Sequence, residues 1–315
     1  MFYPLKFKPI FKEKIWGGNR MKSILNKDID ITKKIGESWE LVDRNNENSI
    51  ILNGNFAGFS LRELLSKYRK EVMGKYAEKY SGDFPLLIKF IEADDDLSVQ
   101  VHPDDDIARE IEGDNGKTEC WYIIDAKQNT KINYGLKADI TKEKLIELIN
   151  ENRIIEALNI VDVKKDDFLY IPSGCIHAIM KGTILAEIQQ NSDVTYRLYD
   201  WDRVGFDGKP RQLHIEKALK SIKFEQNMEI LHTTNESLLL VDSEYFKVEK
   251  VVIEKKSLKY FEFKEPMILM GIKGSGEVNE EKLQKGDTIL LPAALEKATI
   301  KATLEELIIL KINLR

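Results

Sequence analysis

The sequence predicts an all-β chain with a few helices, arranged as two jelly-roll-like barrels of which the second is degenerate. Two observations carry this. Short β-like runs punctuated by Gly, Pro, Asn and Asp dominate after about residue 80, at 86–91, 98–102, 120–124, 168–171, 184–188 and 194–199. Strands following strands argue for a sandwich or barrel rather than alternating βαβ units. The second observation is an internal repeat. Lys165-Asp166-Asp167-Phe168-Leu169-Tyr170-Ile171-Pro172 is echoed by Lys285-Gly286-Asp287-Thr288-Ile289-Leu290-Leu291-Pro292. In each copy a turn with Asp leads into four apolar-leaning residues, and Pro ends the strand because it cannot donate to the ladder.

Helices are few. Ser60 and Glu63 have capping-box spacing, followed by Leu61, Leu64, Leu65, Tyr68 and Val72 on one helical face. A second helix is expected from Thr141, with Leu145, Leu148 and Ile149 inward, and a third carries Ile215, Ala218, Leu219 and Ile222. The polar, weakly patterned stretch 224–238 marks a boundary, giving units of 1–235 and 236–315.

Composition narrows the partners. The 315 residues are 43% apolar, enough for a sizeable core, and 48 basic against 53 acidic residues leave a net charge of −5. No basic field is available for nucleic acid or an acidic membrane surface, whereas a small phosphorylated ligand needs only a few local cations. Cys120 and Cys175 are too few for a disulfide framework and read as buried thiols. The start lacks the pattern of a signal peptide, and no apolar run approaches the ~20 residues of a membrane span. A soluble, cytoplasmic protein is expected.

Three segments carry chemistry. In Leu97-Ser98-Val99-Gln100-Val101-His102-Pro103 the two-residue period of a strand puts Ser98, Gln100 and His102 on one face. In Lys117-Thr118-Glu119-Cys120-Trp121 the same period groups Lys117, Glu119 and Trp121. His177 lies just beyond the Pro-turn of the first repeat; in the second, Lys297 stands at that position. Each residue alone reads as a solvated strand face or a core histidine. Together, two imidazoles and a carboxylate match the donors of catalytic zinc sites, with Gln100 as a further oxygen donor. A three- or four-histidine iron centre fits less well. His214 and His232 lie outside the strand motifs and read as surface or helix residues. Farther on, Glu187 and Gln189 share a strand face, as do Thr195 and Arg197, in a segment poor in lysine and rich in aromatics.

The pattern of Asp, strand, Pro, turn and His resembles the second motif of the cupin superfamily. More specifically, the chain resembles the short bacterial form of type I mannose-6-phosphate isomerase. The resemblance runs from Trp16-Gly17-Gly18 and Gly36-Glu37-Ser38-Trp39-Glu40 through Pro85-Leu86-Leu87-Ile88-Lys89 and the three segments above to Tyr196-Arg197-Leu198-Tyr199-Asp200-Trp201. It implies one zinc ion per chain on His102, Glu119 and His177, with Gln100 as a fourth ligand. It also implies Arg197 as the catalytic arginine, Lys117 and Glu187 in proton transfer or charge stabilisation, and Lys89 and Ser98 at the substrate phosphate. The implied reaction interconverts mannose 6-phosphate and fructose 6-phosphate. Longer family members carry a helical insertion between the positions of Glu119 and His177, which this chain has no room for. Two other classes share the fold: a cupin acting on another sugar or as a metal-dependent oxygenase, and a non-catalytic sugar-binding regulator.

Overall fold

The computed structural model describes residues 2–225, 228–303 and 305–315, so positions 226 and 227 of the expected boundary stretch lie outside the described residues. The chain is mostly β, 42% strand and 18% helical, consistent with a cupin-like fold. Strand pairing leaves its sheets open at their edges, so the described residues form open sheets lying face to face where closed barrels were expected.

A seven-stranded sheet has the order 230–232, 167–171, 119–126, 183–190, 86–93, 35–41 and 10–18. Facing it is a five-stranded sheet ordered 158–162, 131–136, 177–179, 99–101 and 196–199. Trp121, Ile123 and Leu185 from the first sheet share one apolar cluster with Ile132, Tyr134 and Ile179 from the second. The alternation of strand side chains sends Cys120, Tyr122 and Ile124 the other way. There they meet Ile268, Met270, Leu310 and Ile312 of a six-stranded sheet. That sheet in turn packs its second face, through Leu269, Ile289 and Ile309, on Val278, Leu283 and Ile300 of a four-stranded sheet. The layers therefore run five, seven, six and four strands deep. The polypeptide start joins the far pair: Leu5–Lys6 is hydrogen-bonded to Thr288–Leu291.

The helices expected from the sequence are present. Leu61–Met73 begins with the full capping box of Ser60 and Glu63. Lys142–Asn150 is capped by the Thr141 side chain. With Ile215–Ser221 it covers the outer face of the five-stranded sheet through Leu145, Leu148 and Ala218. Both cysteines are free and buried. His232, expected outside any strand, ends the edge strand Ile230–His232 and pairs with Asp167 at 2.7 Å. Among the described residues no helix is long and apolar enough to cross a membrane.

Candidate metal centre and substrate cavity

Strand register builds the site. On the seven-stranded sheet Glu187 stands directly opposite both Lys89 and Trp121, and Gln189 opposite Glu119. On the facing sheet Gln100 stands opposite both His177 and Arg197. Two polar rows therefore look at each other across the sandwich: Lys89, Glu187 and Trp121 on one side, His177, Gln100 and Arg197 on the other. His102 and Glu119 complete the cluster at one end.

There, ligating atoms of His102, Glu119 and His177 all lie within 4.8 Å of one another, and all three residues are buried. His102 Nδ1 is 2.8 Å from the Val194 carbonyl and His177 Nδ1 is 3.0 Å from that of Cys175. A carbonyl can only accept, so each Nδ1 carries the proton and each Nε2 turns a lone pair toward Glu119. The Nε2 atoms sit 3.6 and 3.5 Å from the Glu119 oxygens. Burial, reinforced by Lys117, holds both imidazoles well below their ordinary range, His177 at about 3, so both are neutral.

Glu119 is fully buried, and burial beside Glu187 raises its carboxyl to about 7. The Lys117 ammonium lies 2.6 Å from Glu119 Oε2 and 2.9 Å from His102 Nε2. Apart from this ion pair, neither carboxylate oxygen meets a donor in hydrogen-bonding geometry among the described residues. Two neutral imidazoles and an under-coordinated buried carboxylate, with a cationic group drawn into their midst, fit a divalent metal ion. The backbone carbonyls behind the two rings are the outer partners such ligands require. Gln100 Nε2 stands 3.3 Å from His177 Nε2, so the side chain reaches the cluster, with its amide nitrogen nearest.

Beside the cluster is a cavity of about 270 Å³, and two of its lining residues, Gln100 and Lys117, reach the ligand atoms. Its lining includes Lys89, Ser98, Gln100, Lys117, Glu187 and Arg197, six of the residues singled out in the sequence. Glu187 is gripped by Lys89 at 3.1 Å and by the Trp121 indole at 3.0 Å. Burial alone would push its carboxyl up, but Lys89 and Lys117 outweigh that and keep it ionised. For Lys89 burial pulls down, and Glu187, Glu37 and Asp193 hold it above the usual lysine range. Arg197 donates to Ser98 Oγ at 3.2 Å and to the Gln212 carbonyl at 2.9 Å. The acid at hand, Asp200, is bonded to Arg203 and Arg211 instead. Lys14, Glu37, Asp193 and Arg211 also line the cavity. A larger depression of about 830 Å³, lined by Arg44, Asn45 and Asp114, adjoins it and shares Asp193.

Known proteins match this arrangement. A model of the catalytic domain of type I phosphomannose isomerase matches residues 5–113. Mannose-6-phosphate isomerase ManA of Bacillus subtilis is 42% identical over 309 residues, 93% of this chain and 94% of that protein. The mannose-6-phosphate isomerase of Streptococcus mutans is 36% identical, over 97% of each chain. The chain belongs to the mannose-6-phosphate isomerase family. A crystal structure of the Bacillus subtilis enzyme superposes with a TM-score of 0.86, at 36% identity, over 98% of this chain and 99% of that one. A mannose 6-phosphate isomerase bound with zinc and yttrium, only 15% identical, shares the fold with a TM-score of 0.75.

Within this isomerase fold, several cavity residues had no signal in the sequence. Lys14 sits in a run of alternating charges, Phe11-Lys12-Glu13-Lys14, that reads as a solvated strand. Arg211 sits in a polar stretch rich in Gly and Asp. Glu37 belongs to a recognisable motif, but only its register opposite Ile91 reveals that it reaches the cavity, while Trp39, opposite Lys89, lines the adjoining depression.

Proposed function

We propose that the enzyme interconverts mannose 6-phosphate and fructose 6-phosphate by passing one proton between neighbouring carbons, using one zinc ion held by His102, Glu119 and His177. The observation that carries this reading is the convergence of those three buried side chains beside a cavity lined by cations. Gln100 is the proposed fourth ligand, through its amide oxygen after rotation of the amide. When bound, the ion would act as a Lewis acid toward the hydroxyl and carbonyl oxygens of the sugar.

The remaining work falls to the chain itself. Glu187 is the proposed base: it is ionised, shielded from water, and fixed by Lys89 and Trp121. Arg197 and Lys117 supply positive charge where negative charge develops on the enediolate, stabilising it more than the bound sugar. Ser98 and Lys89 are proposed substrate contacts. Five cations, Lys14, Lys89, Lys117, Arg197 and Arg211, face three carboxylates, Glu37, Glu187 and Asp193, around the cavity. That excess suits a phosphorylated sugar. On this reading residues 1–235 form the catalytic unit, and 236–315 support it by packing. A phosphorylated sugar, charged and confined by membranes, fits a cytoplasmic location.

The test is a coupled assay of purified protein on mannose 6-phosphate, under air and under nitrogen, before and after chelation. Oxygen-independent conversion that is lost on chelation and restored by zinc supports the proposal. Conversion that survives complete metal removal, or none in metal-loaded protein, overturns it.

A further inference from the structure

Charge is distributed unevenly around the cavity. On the side of the seven-stranded sheet each ammonium faces its own carboxylate: Lys14 and Glu37 at 3.1 Å, Lys89 and Glu187 at 3.1 Å, Lys117 and Glu119 at 2.6 Å. The opposite wall is different. Three guanidiniums, those of Arg197, Arg203 and Arg211, gather around one buried carboxylate, Asp200. Arg203 donates to Asp200 Oδ1 from Nε at 3.1 Å and from Nη2 at 3.0 Å, and reaches Asp95 at 3.4 Å. Arg211 spans both Asp200 oxygens, with Nε 2.7 Å from Oδ2 and Nη2 on Oδ1. Arg197 makes no ion pair among the described residues. Asp200 and the largely exposed Asp95 are two carboxylates against three guanidiniums, so an excess of positive charge lies on the arginine wall.

Within that wall Arg197 stands nearest the ligand cluster and Arg211 lies beyond it. Along the five-stranded sheet the row runs His177, Gln100, Arg197, and Arg197 is on the edge strand. The segment carrying Arg211 lies beyond that edge: the His214 amide donates to the Arg197 carbonyl at 2.7 Å, and Arg197 Nη1 reaches the Gln212 carbonyl. At ~4.8 Å per strand, the Arg197 strand is about 10 Å from that of His177. In a hexose 6-phosphate the reacting carbons and the phosphate lie at opposite ends of the carbon chain. With the reacting end between the cluster and Arg197, the dianion is carried outward to Arg211.

The geometry points to Arg211 as a contact to the substrate phosphate, with Asp200 as its positioning residue; this rests on the isomerase reading above. Two nitrogens of the Arg211 fork are committed to Asp200, which fixes the plane of the guanidinium and leaves Nη1 for a phosphate oxygen. Holding the fork in place before substrate arrives lowers the entropy cost of binding. A purely structural alternative is that Asp200 staples the turn between Val204 and Pro210, which are bridged to each other. A staple would govern stability; a phosphate contact governs KM.

The experiment compares wild type, Arg211→Gln, Arg211→Lys, Asp200→Asn and the double variant Arg211→Gln plus Asp200→Asn, all metal-loaded. Losing one charged hydrogen bond to the phosphate should raise KM for mannose 6-phosphate about 10- to 100-fold in Arg211→Gln. Competitive inhibition by inorganic phosphate should weaken by a similar factor, while kcat changes less than about threefold. Arg211→Lys should recover part of the loss. Asp200→Asn should raise KM by a smaller factor, and its effect should vanish in the double variant, the signature of a residue acting through another. Unchanged KM and unchanged phosphate inhibition in Arg211→Gln, with or without a lower melting temperature, would overturn the assignment. Failure of the underlying reading would show differently, as no turnover of mannose 6-phosphate by the wild type.

Discussion

The two sandwiches are built on one strand plan and differ in what they enclose. In the first, Phe168–Ile171 pairs with the strand that starts at Glu119, with Ile171 opposite Glu119. In the second, Thr288–Leu291 pairs in the same sense with Met267–Lys273, and Leu291 stands opposite Met267. Met267 therefore takes the place of Glu119. Five residues beyond the proline of each repeat come His177 and Lys297. His177 is buried, whereas the Lys297 side chain is 62% exposed and faces Glu262 at 3.6 Å. Leu269, Ile289 and Ile309 fill the interior between the second pair of sheets, and among the described residues no group of possible metal ligands occurs there. A strand framework tolerates either filling; chemistry follows from a few polar side chains placed at matching register and held neutral or paired by their neighbours.

The comparison breaks most sharply at the histidines. His102→Ala combined with His177→Ala should abolish metal retention and reduce turnover to background, as measured by elemental analysis and the coupled assay; retained metal would dissolve the distinction between the two interiors. Next comes Arg197. Removing one such donor typically costs on the order of 100- to 1,000-fold in turnover. Arg197→Ala should lose that much kcat while keeping its metal and melting temperature, and Arg197→Lys should recover only part, since lysine lacks the planar fork. Near-wild-type kcat in the metal-loaded variant would reduce Arg197 to a surface cation.

A third effect concerns acid. Burial works against the Glu37 carboxylate, but Lys89, Lys14 and the Trp39 indole outweigh it and hold the group at about 2. Because this value is depressed, the stabilisation is fully present above the ordinary glutamate range and is lost as pH falls toward 2. The contribution is at most roughly 3 kcal/mol. Urea unfolding of wild type and Glu37→Gln should therefore differ most near neutrality, with the gap closing as the pH falls below about 4. A gap independent of pH would show that Glu37 acts by packing alone. The smallest effect belongs to the second sandwich: Lys297→Ala should leave turnover unchanged and stability within about 0.5 kcal/mol. A large loss of kcat there would mean that the second sandwich reaches the active site.

Much of the site was legible because two-residue periodicity in short strands is a strong local signal. It placed Gln100 with His102 and Glu119 with Trp121 on shared faces before any strand partner was known. Register was not legible. Nothing local says that Glu187 faces Lys89, or that Arg197 and His177 flank Gln100. The strand Ile35–Leu41 entered the sequence reading only as part of the family resemblance, with no strand assigned, and the whole strand is buried. Its charges are met by distant partners, Lys14 for Glu37 and Lys27 for Glu40. The helix Asp105–Glu112 had ordinary signals, an Asp104 cap and Gly113 at its end, but too few apolar residues for a periodicity to stand out.

On the proposal above, the first interior alone holds a catalytic metal ion, on His102, Glu119 and His177. The most direct test is to strip the protein of metal, add zinc in measured increments, and follow both bound metal and turnover of mannose 6-phosphate. Activity should rise in proportion to bound zinc and level off at about one equivalent per chain, as a single set of three or four ligands requires. A plateau at two tightly bound equivalents, or full turnover before any zinc is added, would contradict the proposal.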